Sequence, residues 1–348
     1  MAGAQAEAQR RPISARDTRW AAACARWLTR SGATPNGISV TSVGFGVLAG
    51  ASFWGTSQTE GVMRALLFVG AAAGIQARLL CNLFDGMVAV VAFALFAGRV
   101  GTVILFGLLS FLALREFVTL TPTRRGDHRT LFWVFFVITP LQYLIVWKEW
   151  YGMFVLLIPV YAFLFVPLRS AVAGDCTGFL ERTAKIQWAL MICVYCVSHA
   201  PMLLTLELPG YKGSPLALLL YMILVVQLSD VFQYVWGKTL GRHPIAPTVS
   251  PNKTWEGFIG GILTASGVGA ALWWATPFLW WQSGLVSLGI CFMGFAGGLV
   301  MSAIKRDRGV KDYGALIEGH GGVMDRIDSI CFAAPVFFHI VRYYWGEA

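Results

Sequence analysis

The residues best equipped for chemistry lie in one polar stretch near the end of a very apolar chain, from Ser302 to Asp328. Lys305, Arg306, Arg308 and Lys311 stand among Asp307, Asp312, Asp325 and Asp328, around His320 and the Gly321-Gly322 pair. Asp325 and Asp328 fall at an expected helix start, at a spacing that puts both carboxylates on one face. Two such groups are hard oxygen ligands of the kind Mg2+ takes, and Asp312 has the reach to join them. The same pair also suits a plain helix start, where acidic side chains cap amides and meet the favourable end of the dipole. Four clustered cations between apolar helices make a poor solvated face and a good triphosphate ligand. Gly321 and Gly322 allow close backbone approach, and His320 beside them is weak evidence by itself.

A second polar stretch runs from Ser229-Asp230 to Gly260-Gly261. Asp230 ends a long apolar segment, where a carboxylate marks function, with solvation at the helix end as the plainer alternative. Ser250-Pro-Asn252-Lys253-Thr-Trp-Glu256-Gly257 combines turn formers, hydroxyls, a lysine and a helix start, the parts of a phosphate cradle. An ordinary Pro/Asn turn with a capping residue has the same composition, and the spacing is not that of a Walker A loop. Together the two stretches point to phosphoryl or nucleotidyl transfer at a membrane surface, chemistry that relies on electrostatic clamping and metal ions more than on covalent catalysis.

The apolar remainder must hold these residues together. Of 348 residues, 57% are hydrophobic and 13% charged, against about 25% charged in soluble proteins. The apolar runs recur at about the 20-residue length of a membrane-crossing helix, and they are continuous rather than alternating, which excludes a β-barrel. Spans are expected over 39–55, 62–80, 87–113, 131–147, 151–168, 186–206, 215–236, 257–276, 280–300 and 329–345. The expected fold is therefore an all-α polytopic integral membrane bundle of about 8–10 transmembrane helices.

The net charge of +9 resides in loops. Arg115–Arg129, Arg169–Lys185, Lys238–Lys253 and Lys305–Arg326 are basic, while Lys148-Glu149, Glu207–Lys212 and Thr276-Pro277 are not. Every second loop is thus basic, which places the basic set on the cytoplasmic side of a cytoplasmic (inner) membrane and gives the charge a role other than nucleic-acid binding. Upstream of residue 115 the alternation fails, because three crossings would carry Arg115 to the wrong side. Either one segment does not cross or 87–113 is a re-entrant hairpin broken at Gly98-Arg99-Val100-Gly101. The single Cys-x-x-Cys, Cys193-Val-Tyr-Cys196, lies in an apolar run and reads as core packing. The basic N-terminus lacks the apolar region of a signal peptide.

The pattern Ser302-x-x-Lys305-Arg306-x4-Lys311-Asp312-x-Gly314-x-x-Ile317-x-x-His320-Gly321-Gly322-x-x-Asp325-Arg326-x-Asp328 resembles the signature of the phosphatidate cytidylyltransferase (CDP-diacylglycerol synthase) family. Asp230 and the Ser250–Gly257 segment fit the same family, over roughly residues 100–348. Glu318 departs from it, standing where proline or a small residue is usual. The resemblance implies an enzyme that converts CTP and phosphatidate to CDP-diacylglycerol and pyrophosphate with Mg2+, a second cation being left open. It implies Asp325 and Asp328 as metal ligands, with Asp312 and Asp230 as further ligands or orienting carboxylates. Lys305, Arg306, Lys311 and Arg326 would neutralise phosphates, with His320 beside them. Ser250, Asn252, Lys253, Glu256, Ser302, Gly321 and Gly322 would contact substrate. Assembly as a homodimer stays open.

Residues 20–89 resemble the start of a CDP-alcohol phosphatidyltransferase, with Asp85-Gly86 in place but Asn82 at the first acidic position and Val90 where arginine belongs. No Asp lies between Asp85 and Asp127, so the remaining carboxylates of that metal site are missing. The expected organisation is a basic N-terminus over 1–38, a truncated remnant over 39–90 and the synthase-like domain over 100–348. The rival functions are that phosphatidyltransferase and a membrane transporter, the latter disfavoured because the charges cluster in loops on one face.

Overall fold

Apolar segments with no water to bond must satisfy their backbone N–H and C=O groups internally, and here they do so as helices. A computed structural model describes residues 86–121, 123–211, 213–314 and 322–346, with side chains from residue 98 onward. The chain divides into two compact units, residues 1–92 with 315–321, and residues 93–314 with 322–348. Of the first, only the helical backbone over 86–92 is described. The expected spans 39–55 and 62–80, the Asp85 motif, and His320, Gly321, Ile317 and Glu318 all lie outside the described residues.

The second unit is built from α1 (Gly86–Leu120) from residue 93 on, α2 (Arg125–Trp147), α3 (Tyr151–Val172), α4 (Phe179–Thr205), α5 (Pro215–Thr239), α6 (Trp255–Ala271), α7 (Trp280–Asp307) and α8 (Met324–Trp345). Between α5 and α6, β1 (Pro244–Ala246) pairs antiparallel with β2 (Ser250–Thr254). Among the described residues, six helices are long and apolar enough to cross a membrane: Gly98–Leu120, α2, α3, α4, α5 and α7. The expected spans 257–276 and 329–345 are helical too, as α6, which has 17 residues, and α8, whose first turns carry Asp325, Arg326 and Asp328. The outer surface is apolar. Phe132, Phe136, Leu164, Leu168, Leu285 and Phe292 are all more than half exposed, a coat suited to hydrocarbon rather than water.

Within 87–113 the backbone leaves helical geometry at Gly98 (φ 64°, ψ −162°), where a break was expected over 98–101. Gly98–Leu120 then runs as one helix, long and apolar enough to cross a membrane. Arg99, an expensive residue in mid-membrane, instead begins that helix and bonds Glu149 and, at 2.7 Å, the Trp147 carbonyl. It therefore lies at the Lys148-Glu149 end, and α1 finishes at the opposite end. The described residues of the four basic loops gather at that opposite end: Arg182 pairs with Asp127, Arg306 bonds the Val249 carbonyl, and the Val323 amide bonds Glu116.

Small residues set the helix spacing. A Cβ on Gly257 would fall 2.8 Å from the Gln233 carbonyl, and one on Gly261 2.6 Å from the Gln233 amide nitrogen, so α6 lies directly on α5. A Cβ on Gly297 would fall 2.5 Å from the Asp328 carbonyl, so α8 approaches α7 closely at the level of Asp328. Buried polar groups pair across helices: Tyr221 bonds Ser283 (2.7 Å) and Ser287 (2.6 Å), and Ser110 bonds Tyr143 (2.6 Å).

At the basic end, Asp127 is buried against Arg182, which donates from Nη2 (2.8 Å) and Nε (3.0 Å) and also bonds the Thr177 carbonyl. Removing one partner strands the other charge. Arg182→Met should lower the unfolding free energy by about 3–5 kcal/mol, read from denaturation in detergent. An unshifted transition would show that the pair adds nothing.

Candidate active site

α5 to α8 pack together, and their polar ends converge. Each element has a local reason for its place. Thr254 ends β2 and caps α6, accepting from the Gly257 amide at 3.2 Å. The Trp255 amide donates to the His243 carbonyl (2.9 Å), closing the hairpin on the helix start. Glu256 tightens this closure by accepting from the Arg242 (3.1 Å) and His243 (3.3 Å) amides and from His243 Nδ1 (2.5 Å). Those donors, the His243 ring first, hold its carboxyl at about 2. The bracket is therefore fully made above the ordinary carboxylate range and is lost only as pH falls through about 2. Glu256 thus faces its own hairpin rather than the central cluster.

The hairpin delivers Lys253 to α7. Its Nζ lies over the Phe295 ring, 4.7 Å from the centroid. A Cβ on Gly298 would sit 3.0 Å from that Nζ and 3.8 Å from both Asp328 Oδ2 and Ser329 Oγ, so these groups meet in the space Gly298 leaves open. Burial pushes the Lys253 ammonium below the usual lysine range, while the charges of Asp230 and Asp328 oppose that shift.

Ser329 joins two carboxylates from different helices. Its Oγ donates to Asp230 Oδ2 on α5 at 2.7 Å and lies 3.3 Å from Asp328 Oδ1, which also accepts the Ser329 amide at 2.8 Å. Asp325 faces elsewhere. Lys305 Nζ pairs with its Oδ1 (2.8 Å), and the Tyr313 (2.8 Å) and Gly322 (3.0 Å) amides donate to its Oδ2. Asp325 and Asp328, expected on one face, therefore serve adjoining parts of one polar region.

The other expected residues are placed less centrally. Arg306 bonds the Val249 (3.2 Å) and Val310 (3.3 Å) carbonyls, tying the hairpin turn to the end of α7. Ser302 turns back onto the Gly298 carbonyl (2.7 Å), and Arg308 pairs with Asp307 (2.8 Å). Lys311, Asp312 and Asn252 are exposed, Ser250 is half-buried in β2, and Arg326 is half-buried in the first turn of α8. Among the described residues, no three His, Cys, Asp or Glu side chains form a ready metal cage. The donor set still fits Mg2+, which takes one or two carboxylates, keeps several waters and completes its shell from substrate phosphates. Asp230 and Asp328 are such a pair.

Three features went unread in the sequence. Ser329 stands directly after Asp328, its hydroxyl inconspicuous among many. Gly297-Gly298 read as part of an apolar run. Glu116 was masked by the basic residue before it, although a lone acid next to an apolar run was a usable signal.

A helical bundle with an apolar exterior, whose one polar end gathers lysines and carboxylates from four elements, defines a membrane-embedded enzyme of phosphate chemistry. The model of the cytidylyltransferase family matches residues 77–344, and the chain belongs to that family. It is thus a nucleotidyltransferase. Uncharacterized protein YnbB of Escherichia coli (strain K12) is 42% identical over 245 residues, 70% of this chain and 79% of the relative. Phosphatidate cytidylyltransferase of Staphylococcus aureus (strain COL) is 41% identical over 128 residues, 36% of this chain and 49% of the relative. That of Staphylococcus haemolyticus (strain JCSC1435) is 42% identical over 127 residues, again 49% of the relative. The match to these two enzymes thus spans about half of their length.

Proposed function

We propose that this protein transfers the cytidylyl group of CTP to phosphatidate, giving CDP-diacylglycerol and pyrophosphate, in a cytoplasmic membrane with the basic loops on the cytoplasmic side. The observation that carries the reading is the meeting of Lys253, Asp230 and Asp328 at Ser329 and Gly298, beside the Lys305–Asp325 pair, at the polar end of an apolar bundle. A water-soluble nucleotide and a lipid phosphate can both reach such a place. The name of the staphylococcal relatives, phosphatidate cytidylyltransferase, supports the same substrates.

In this reaction an oxygen of the phosphatidate phosphate bonds to the α-phosphorus of CTP, and the bond from that phosphorus to the β-bridging oxygen breaks, releasing pyrophosphate. The attacking phosphate is already anionic at neutral pH, so no strong general base is needed. Lys253 and Lys305 would neutralise phosphate charge from within the site, with Lys311, Arg306 and Arg326 at its margin. Asp230 and Asp328 would hold Mg2+, which when bound offsets the charge on the nucleotide phosphates. Asp325 would keep the Lys305 ammonium oriented, and Ser250 and Asn252 would line the nucleotide side.

The test uses membranes containing the protein, phosphatidate, Mg2+ and CTP labelled at the α-phosphate. Label should move into the organic phase as CDP-diacylglycerol, with stoichiometric pyrophosphate. Label that stays in water would end this reading.

A further inference from the structure

We propose that Glu116 is a positioning residue, a buried carboxylate supplied by α1 that seats the first turn of α8 and, with it, Asp325, Arg326 and Asp328. The inference rests on the assignment of cytidylyl transfer to this site. Glu116 is only 9% exposed. Its Oε1 accepts from the Val323 amide and its Oε2 from the Met324 amide, each at 2.9 Å. These are the amides that a helix start leaves without intrahelical partners, and they sit at the positive end of the helix dipole. Val323 occupies the capping position and has no side-chain acceptor of its own, so the cap must come from elsewhere. It comes from a residue far away in the chain, which makes the start of α8 depend on α1.

The surroundings are built for that carboxylate. A Cβ on Gly314 would fall 2.7 Å from Glu116 Oε1, and one on Gly322 would collide with Oε2, so the carboxylate fills space that two glycines leave. Phe117, next in the chain, stacks on Tyr313, with ring centroids 6.1 Å apart and planes 17° from parallel. The Tyr313 amide in turn donates to Asp325, as does that of Gly322. Two carboxylates therefore hold one segment from opposite sides, Glu116 on the amides of 323–324 and Asp325 on those of 313 and 322. None of the described bonds of Glu116 reaches Lys253, Asp230 or Asp328, so it acts through α8 and not on the reacting groups.

Glu116→Gln replaces one accepting oxygen with an amide that faces another donor. In purified full-length protein, kcat should fall about ten- to a hundredfold, the loss of a charge-assisted bond or two, with the KM for phosphatidate little changed. Hydrogen exchange should rise at the amides of 322–326 while α5 and α6 stay protected. Gly322→Ala, whose methyl would displace Oε2, should give the same pattern with Glu116 intact. Glu116→Asp keeps the charge but withdraws it by one methylene and should recover part of the activity. Unchanged kcat in Glu116→Gln beside an active wild type overturns the proposal, and so does a loss of turnover with exchange rising across the whole bundle. If Glu116→Gln and Gly322→Ala do not accumulate, the same two measurements on Glu116→Asp decide. A wild-type protein that makes no CDP-diacylglycerol sinks the assigned reaction instead, while the exchange pattern still reports whether Glu116 seats α8.

Discussion

Membranes carrying Asp328→Asn should make CDP-diacylglycerol about 10²–10³-fold more slowly than wild type at equal protein level, the scale seen when one preorganised electrostatic group is removed. The substitution keeps the shape of the side chain and removes its charge. Asp328 accepts the Ser329 amide and faces Asp230 across the Ser329 hydroxyl, so it is one of two carboxylates that α5 and α8 bring together. Without its charge, one fixed acid remains to hold a divalent cation, and Lys253 keeps only Asp230 of its two acidic neighbours. Raising Mg2+ should restore only part of the rate. Asp325→Asn should also lose turnover, by a different route: it frees Lys305 and weakens two backbone bonds, so added Mg2+ should not help. Normal turnover in Asp328→Asn would overturn the proposal that Asp328 holds a metal ion.

Lys253→Met should cost about 10²-fold in kcat/KM for CTP. Its ammonium is held over Phe295 and in the space above Gly298, between the fields of Asp230 and Asp328. The methionine side chain fills much of the same volume without charge, so packing is largely kept and the electrostatic contribution is lost. Lys253→Arg should not rescue, because the planar guanidinium needs more room than the gap over Gly298 gives. Gly298→Ala tests the same geometry from the other side: its methyl would fall 3.0 Å from the lysine nitrogen, which must give by a few tenths of an ångström, so a part of the defect should appear with Lys253 still present. Wild-type kinetics in Lys253→Met would show that this cation does not act on the nucleotide.

Much of the architecture was readable because a membrane leaves few choices. Long apolar runs must be helices, and the positions of Arg124, Arg182, Lys238 and Lys305 mark loops that share one end. The dense charge of Ser302–Asp328 and the separate Ser250–Glu256 segment were legible as chemistry, since such charge between apolar helices needs a purpose. An arginine in mid-run pointed to a break over 98–101. The backbone does break at Gly98, which leaves Arg99 in the first turn of the Gly98–Leu120 helix, paired with Glu149.

Residue types and their spacing in the sequence thus determined a helical membrane bundle, its basic end and the two polar stretches proposed to carry phosphate chemistry. Which carboxylate meets which cation was decided only by the tertiary structure. Asp230 is paired with Asp328 through Ser329, Asp325 is given to Lys305, Glu256 is turned onto His243, and Glu116 is brought in from α1. The physical reason is that helix pairing fixes these partners, and it depends on where glycines such as Gly261, Gly297 and Gly298 let backbones close to within a side chain's width. That spacing belongs to contacts between distant segments, and no local pattern records it.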